Sequence, residues 1–345
     1  MKSLCKISLL PAFVFLGFSF AFAQTEREKG IKLYQEGKNK EAVAVLEKAS
    51  RQTKDDAEIW NALGLAYIKE DALKKAIKAF EKAVNLNPQD ATYYTNLAYT
   101  YLLAGKLDKA QEESGKAIKI NPKIALAYYV RGAANVYEGD NSEAIGDADK
   151  AISINPDYSA AYVLKSDALL YQFGNRVGGG SKPIDEIDLL QRAKDTLEIC
   201  LKNCRNNSQV ELQKERLDTL TVFHDYFSKN RDAVLNAIAE NPSAAPIVQP
   251  PPDPSVTPMK ILAKPHPTYT DKARQDLISG KITLAVLFSE SGQITHTLVL
   301  KGLGGGLNAN AVKAAYGIKF EPAKKDGKPF SQIRIITYSF TILSR

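Results

Sequence analysis

Along the first half of the chain, apolar positions recur at helical spacing and then start again at a fixed interval. WNALGLAYIKEDALKKAIKAFEKAVNLNP, from Trp60, returns as YTNLAYTYLLAGKLDKAQEESGKAIKINP from Tyr94 and as YVRGAANVYEGDNSEAIGDADKAISINP from Tyr128. Pro88, Pro122 and Pro156 stand 34 residues apart, as do Ala76, Ala110 and Ala144. A period of this length predicts pairs of helices stacked in an array. Small residues at Gly64, Ala76 and Ala83 let paired helices approach closely, and Pro88 stops the second helix before the next unit begins. A weaker first unit fits Gly30, Ala42, Leu46 and Ala49, and a fifth begins at Tyr162 and departs after Gly174.

The stretch FGNRVGGGSKP interrupts the fifth unit. It lacks the spacing of a phosphate-binding loop and reads as a flexible insert. Two amphipathic helices follow, about Ile184 to Cys204 and Gln209 to Ala239. Leu189, Leu190, Ala193, Leu197 and Leu201 form the apolar stripe of the first, so both are expected to cap the array. From Asn241 to Pro258, seven prolines in 18 residues predict a spacer of about 55 Å at roughly 3.1 Å per residue. Two independently folded parts are expected to be held apart.

Beyond it the period changes to two. Ile282, Leu284, Val286 and Phe288 share one face of a strand, Ser291-Gly292 turns it, and Ile294, His296, Leu298 and Leu300 follow on the return strand. A second turn falls at Lys325-Asp326-Gly327-Lys328, and Ile336, Tyr338, Phe340 and Ile342 make the last strand. Between strand and helix lies KGLGGGLNANAVKAAYGIKF. A dinucleotide loop has this order, but ITHTLVL alternates with Thr295 and Thr297 as a half-exposed antiparallel strand does, unlike a strand buried on both faces. The glycines are therefore expected to form a flexible passage into a helix capped by Asn308.

Trp60, Leu63, Gly64, Tyr67, Ala76, Phe80, Ala83 and Pro88 resemble the tetratricopeptide repeat at every position of its pattern. The resemblance implies a solenoid whose first helices line a concave groove. Its positions here are Asn61, Leu65, Thr95 and Asn96, then Tyr99, Leu103, Tyr129 and Tyr137, with Tyr171 further on. This surface suits an unidentified peptide or protein helix, the alternative being that the tyrosines only pack between repeats. Some relatives clamp a C-terminal carboxylate; Leu126 and Val130 replace the basic residues such a clamp uses.

KPHPTYTDKARQDLISGKITLAVLFSESGQI, followed by LNANAVKAAYGIKFEPAKKDGKPF and a closing apolar strand, is similar to the C-terminal domain of TonB. The matches are Pro267, Tyr269, Ala273, Arg274, Gly280, Gly292, Ala311, Phe320, Pro322 and Gly327. Thr270 replaces the family's proline, implying a less rigid entry to the first helix. The resemblance implies an exposed last strand to which a segment of a TonB-dependent outer-membrane receptor adds, the backbone of Gln332 to Thr341 supplying the hydrogen bonds and Gln332, Arg334, Ile336, Tyr338 and Phe340 the candidate contacts. A homodimer covering that edge is the alternative.

Composition places the chain in a compartment. Lys2 and Lys6 precede an apolar run from Ile7 to Phe22, and Ala21-Phe22-Ala23 makes a cleavage site, as in a secretory signal peptide. Periplasm or cell envelope is expected, with inner-membrane anchoring if the segment is retained. The charge is +8 over Met259–Arg345 and −3 over Gln24–Pro258, so the basic end suits acidic proteins, envelope polymers or lipid headgroups and not nucleic acid. Cys200 and Cys204 are bridged or free; on a regular helix their Cβ atoms would stand too far apart, so a disulfide requires the helix to end there. A zinc site lacks further ligands. His224, His266 and His296 are isolated and no nucleophile stands by a base, so neither catalysis, a metal nor a cofactor is expected.

The expected architecture is multidomain, an all-α solenoid and then a small α+β domain. It runs as signal 1–23, repeats 24–174, insert and capping helices 175–240, linker 241–262 and C-terminal domain 263–345. Two functions remain open: a TonB-like energy transducer or accessory engaging outer-membrane transporters, and a periplasmic scaffold that transmits no force.

Overall fold

The computed structural model describes residues 26–178, 180–181, 183–204, 209–229 and 255–342. The predicted signal segment, the end of the second predicted capping helix and residues 241–254 of the predicted linker lie outside the described residues. The chain divides into two compact units between Arg131 and Gly132, a boundary that falls inside one helix.

The first unit stacks α1 (26–35), α2 (Asn39–Gln52), α3 (Ala57–Lys69), α4 (Leu73–Leu86), α5 (Ala91–Leu103), α6 (Leu107–Ile120) and the first half of α7 (Ala125–Glu138). The period reappears in the side-chain chemistry of two successive units. Asp56 caps α3 by accepting from the Glu58 and Ile59 amides, and Asp90 caps α5 from Thr92. The Tyr67 hydroxyl donates to Glu47 at 2.6 Å, and one period later Tyr101 donates to Glu81 at 2.7 Å. Close helix approach is enforced at Gly64, where a Cβ would lie 2.6 Å from the Phe80 ring.

The second unit holds the rest of α7, α8 (Asn141–Ile154), α9 (Ser159–Gly178), α10 (Ile187–Asn203) and α11 (Val210–Lys229), followed by the strands. α9 does not break at Gly174 as its sequence suggests; it runs on to Gly178. The strands are β1 (Val256–Thr257), β2 (Lys260–Ala263), β3 (Gly280–Phe288), β4 (Ile294–Lys301), β5 (Lys319–Glu321), β6 (Lys324–Lys325), β7 (Lys328–Pro329) and β8 (Gln332–Phe340). Two further helices are α12 (Asp271–Gln275) and α13 (Leu307–Tyr316). The main sheet has the order β4-β3-β8, all antiparallel. β1 pairs with β6 and β2 with β5, so residues 256–257 and 260–262 of the expected linker join sheets. Both turns form where expected, with Gly292 at φ 78° and Asp326-Gly327 at φ 52° and 77°.

The main sheet is buried on both faces. Ile282, Leu284, Val286 and Phe288 pack with Ile336, Tyr338 and Phe340 against Leu307, Ala311, Ala314 and Ala315 of α13. On the opposite face Ala285, Leu287, Leu298, Leu300 and Ile333 share a core with Phe173 of α9, Leu190 and Leu197 of α10, and Leu220, Phe223 and Phe227 of α11. This overturns one expectation: the capping helices and the strand domain are not held apart but form one core. β4 itself keeps the expected alternation, with Leu298 and Leu300 buried and Thr295 exposed. The contact is tight: a Cβ at Gly174 would lie 2.3 Å from the Leu300 carbonyl oxygen, so only glycine lets α9 lie against the β4 backbone.

Candidate functional site

β8 is an edge. β3 covers one side, and among the described residues no other strand pairs with the opposite side. In an antiparallel ladder successive residues turn their N–H and C=O alternately toward the neighbour and away from it. Two side chains identify the outward set. The Ile333 N–H donates to the Tyr226 hydroxyl of α11 at 3.2 Å, and the Thr337 carbonyl accepts from Lys264 Nζ at 3.0 Å. The outward residues are therefore Ile333, Ile335, Thr337 and Ser339.

The sequence-based selection falls on the other set. Ile336, Tyr338 and Phe340 are buried beneath α13, with Tyr338 only 3% exposed, and their backbones face β3. They hold the strand in place and offer a partner no side chain. Burial pushes the Tyr338 hydroxyl up to about 12, and it has no partner among the described residues. Arg334 and Gln332 are half-buried on the same face. Lys264 also lies 4.8 Å above the Tyr338 ring, and burial lowers its ammonium from the ordinary lysine range. Neither Lys264 nor Tyr226 was singled out from sequence; both lie far from β8 in the chain, and no local pattern marks them.

The residues expected to line the repeat groove fall in different surroundings. Asn96 Nδ2 donates to Asn61 Oδ1 at 2.8 Å, so corresponding helices of adjacent units carry joined amides, each with hydrogen-bonding capacity left over. Leu65, Tyr99, Leu103 and Tyr129 are half-buried. Thr95 is 2% exposed and its hydroxyl donates to the Ala91 carbonyl at 2.8 Å, so it belongs to the core and not to the groove.

In the second unit, Tyr137 and Tyr171 meet the glycine cluster instead of an open groove. A Cβ at Gly302 would lie 2.7 Å from the Tyr171 hydroxyl, and one at Gly304 would lie 3.5 Å from the Tyr137 ring. Burial pushes Tyr171 up to about 12, opposed by a hydrogen bond from Asn308. Asn308 does not cap α13. Gly306 stands at the N-cap with φ 78°, and Asn308 Oδ1 accepts from the Leu303 N–H at 2.8 Å. Thr270 compensates for the missing proline: it caps α12 through the Ala273 amide at 3.0 Å and donates to the Gly305 carbonyl. The loop expected to be a flexible passage is thus a tied seat for two tyrosines.

The helix ends between Cys200 and Cys204, as a disulfide would require. α10 stops at Asn203, Cys204 has φ −81° and ψ 82°, and the two buried sulfurs are 3.0 Å apart. Among the described residues no group of three or more His, Cys, Asp and Glu could hold a metal ion. No described helix is long and apolar enough to cross a membrane.

A stacked array of helix pairs and a small three-stranded sheet with an open edge define a protein-interaction molecule. Family comparison makes the parts specific. Three tetratricopeptide repeat models match residues 30–71, 57–90 and 79–112, and the Gram-negative bacterial TonB protein C-terminal model matches residues 265–342. The family models thus place tetratricopeptide repeats in the first part of the chain and a TonB C-terminal match in the last. No curated protein matches it significantly. Solved structures similar to it include the MamA protein, at 23% identity over 52% of this chain and 94% of that one, TM-score 0.44. A thermophilic repeat protein of Thermus thermophilus, TTC0263, matches at 18% identity over 58% and 99%, TM-score 0.44. Pseudomonas aeruginosa pilF matches at 15% over 61% and 89%, TM-score 0.48.

Proposed function

We propose that the protein is a non-enzymatic periplasmic adaptor of the TonB kind, which engages outer-membrane transporters by accepting a segment of the transporter as a fourth strand on β8. The repeats hold a second protein along the concave face marked by Asn61, Asn96 and Tyr99. The observation that carries this reading is the open side of β8, whose alternate N–H and C=O groups are aimed away from β3. An extended peptide gains its affinity from such a row of backbone groups. The basic balance of +8 around it favours an acidic partner.

The scaffold reading, in which no force is transmitted, is favoured by the core shared between β3, β4, β8 and α9–α11. A domain packed on the last helices of the array is not a free arm. The edge is tested with Thr337→Pro, which deletes an outward N–H and leaves the ladder to β3 intact. Transporter capture by the full-length protein is expected to fall at least tenfold while its far-ultraviolet spectrum stays unchanged. Unaltered capture would refute strand addition. Energised uptake through the captured transporter, measured in cells carrying the same variant, separates the readings: a transducer loses uptake and a scaffold keeps it.

A further inference from the structure

We propose that Lys264 selects the strand that β8 accepts, yielding the Thr337 carbonyl to an incoming extended segment and pairing with an Asp or Glu carboxylate on it. The inference rests on strand addition at β8 and gives that site its partner chemistry.

The two outward groups already engaged bound the opening. Tyr226 occupies the Ile333 N–H and Lys264 occupies the Thr337 carbonyl, and Ile335 lies between them. A strand long enough to use both ends displaces two side chains, and the two displacements differ in kind. Tyr226 gives up a neutral contact and remains held among the aromatic rings of α11, 6.1 Å from Phe227. Lys264 gives up its hydrogen-bonded acceptor.

Among the described residues, that ammonium has one hydrogen-bonded partner, the Thr337 carbonyl, and one ring, Tyr338. No described carboxylate lies within ion-pair distance of it, and its side chain is exposed at the edge where an incoming strand would lie. A neutral strand that took the Thr337 carbonyl would return the exposed ammonium to water and gain nothing from it. A strand bearing a carboxylate would replace the neutral acceptor with a charge-assisted one, which is shorter and stronger. Lys264 therefore offers acidic strands an ion pair that neutral strands lack, and that difference in affinity is the basis of selection.

The test uses the full-length protein and fluorescein-labelled nine-residue peptides of alternating threonine and valine. A single glutamate is walked through every position, and each peptide has a glutamine twin. Anisotropy at low ionic strength gives affinity, and amide hydrogen exchange of β8 shows whether the peptide lies on the edge. At one or two positions the glutamate peptide is expected to bind about five- to tenfold tighter than its twin. Lys264→Met should abolish that difference and bind the glutamine twins no more weakly than the native protein does. Equal twins at every position, or a preference that survives in Lys264→Met, overturns the proposal. If twins are equal but Ile335 and Thr337 amides are protected, selection falls while strand addition stands. If no peptide protects β8, both fall.

Discussion

Glycine 174 shows how one missing Cβ joins two layers. It sits inside α9, where glycine costs about 0.5–1 kcal/mol relative to alanine, yet here the Leu300 carbonyl occupies the space a side chain would need. Gly174→Ala is expected to destabilise the second unit by about 1–3 kcal/mol through overpacking against backbone. Gly146→Ala, in α8 with nothing within 4 Å of the added carbon, should be neutral or slightly stabilising; thermal unfolding of both variants checks the contrast. The cysteine pair makes a second expectation at this scale. Burial pushes the Cys200 thiol up to about 12 and raises Cys204, so near pH 8 both are protonated and react slowly with alkylating agents in the folded state. Formation of a bond between them, with both protons and two electrons passed to an external disulfide, is expected on treatment with oxidised glutathione during refolding. Intact mass would drop by two hydrogens; a retained mass with two alkylatable thiols after denaturation would show the pair stays reduced.

At the scale of elements, the repeats were legible because each unit repeats the same contacts, so every anchor is stated several times over. The residue that ends the first helix of each unit shows the limit. Gly37, Gly105 and Gly139 take positive φ at places set by the 34-residue period, and Asp71, at φ 55°, stands in the same place without being glycine. Asp71→Gly should raise stability by a few tenths to about 1 kcal/mol by removing that strain, measurable as a higher denaturant midpoint with unchanged slope. The strands were legible as strands, and the run TLAVLF in β3 already carries the second buried face in Ala285 and Leu287. Near-continuous apolar character is what burial on both faces demands. What sequence could not supply was the polarity of the β8 edge. The resemblance pointed to Gln332, Arg334, Ile336, Tyr338 and Phe340, but the burial of Ile336, Tyr338 and Phe340 under α13 turns their backbones toward β3. The outward residues follow only from knowing which neighbour β8 has. For the same reason Ile336→Pro would break the ladder and unfold the strand, whereas Thr337→Pro removes the exposed donor alone.

At the scale of the molecule, the seven prolines after Asn241 suggested two bodies on a spacer, and no local signal says which apolar surface will cover another. Fold class survived that error because it depends on each part's own period; the second layer of the sheet did not, because it depends on α9–α11 meeting strands far along the chain. The consequence is a coupled unit. Phe223 is fully buried between α11 and the sheet, 6.1 Å from the Phe227 ring, which itself lies 5.8 Å from Phe173. Phe223→Ala should cost about 3–5 kcal/mol, the range for removing a buried aromatic ring. If the strand domain folded independently, that loss would stay in the helices, and amide exchange in β3, β4 and β8 would not change. With a shared core, exchange should quicken in both layers together, and the thermal transition of the second unit should move as one. Because Tyr226 and Phe227 are neighbours on α11, the same variant should also loosen the Tyr226 contact to the Ile333 amide, so the edge that receives a partner strand is tuned by the helices that end the repeat array. Faster exchange at Ile333 than at Thr337 in Phe223→Ala would establish that link; unchanged exchange at Ile333 alongside a destabilised α11 would break it.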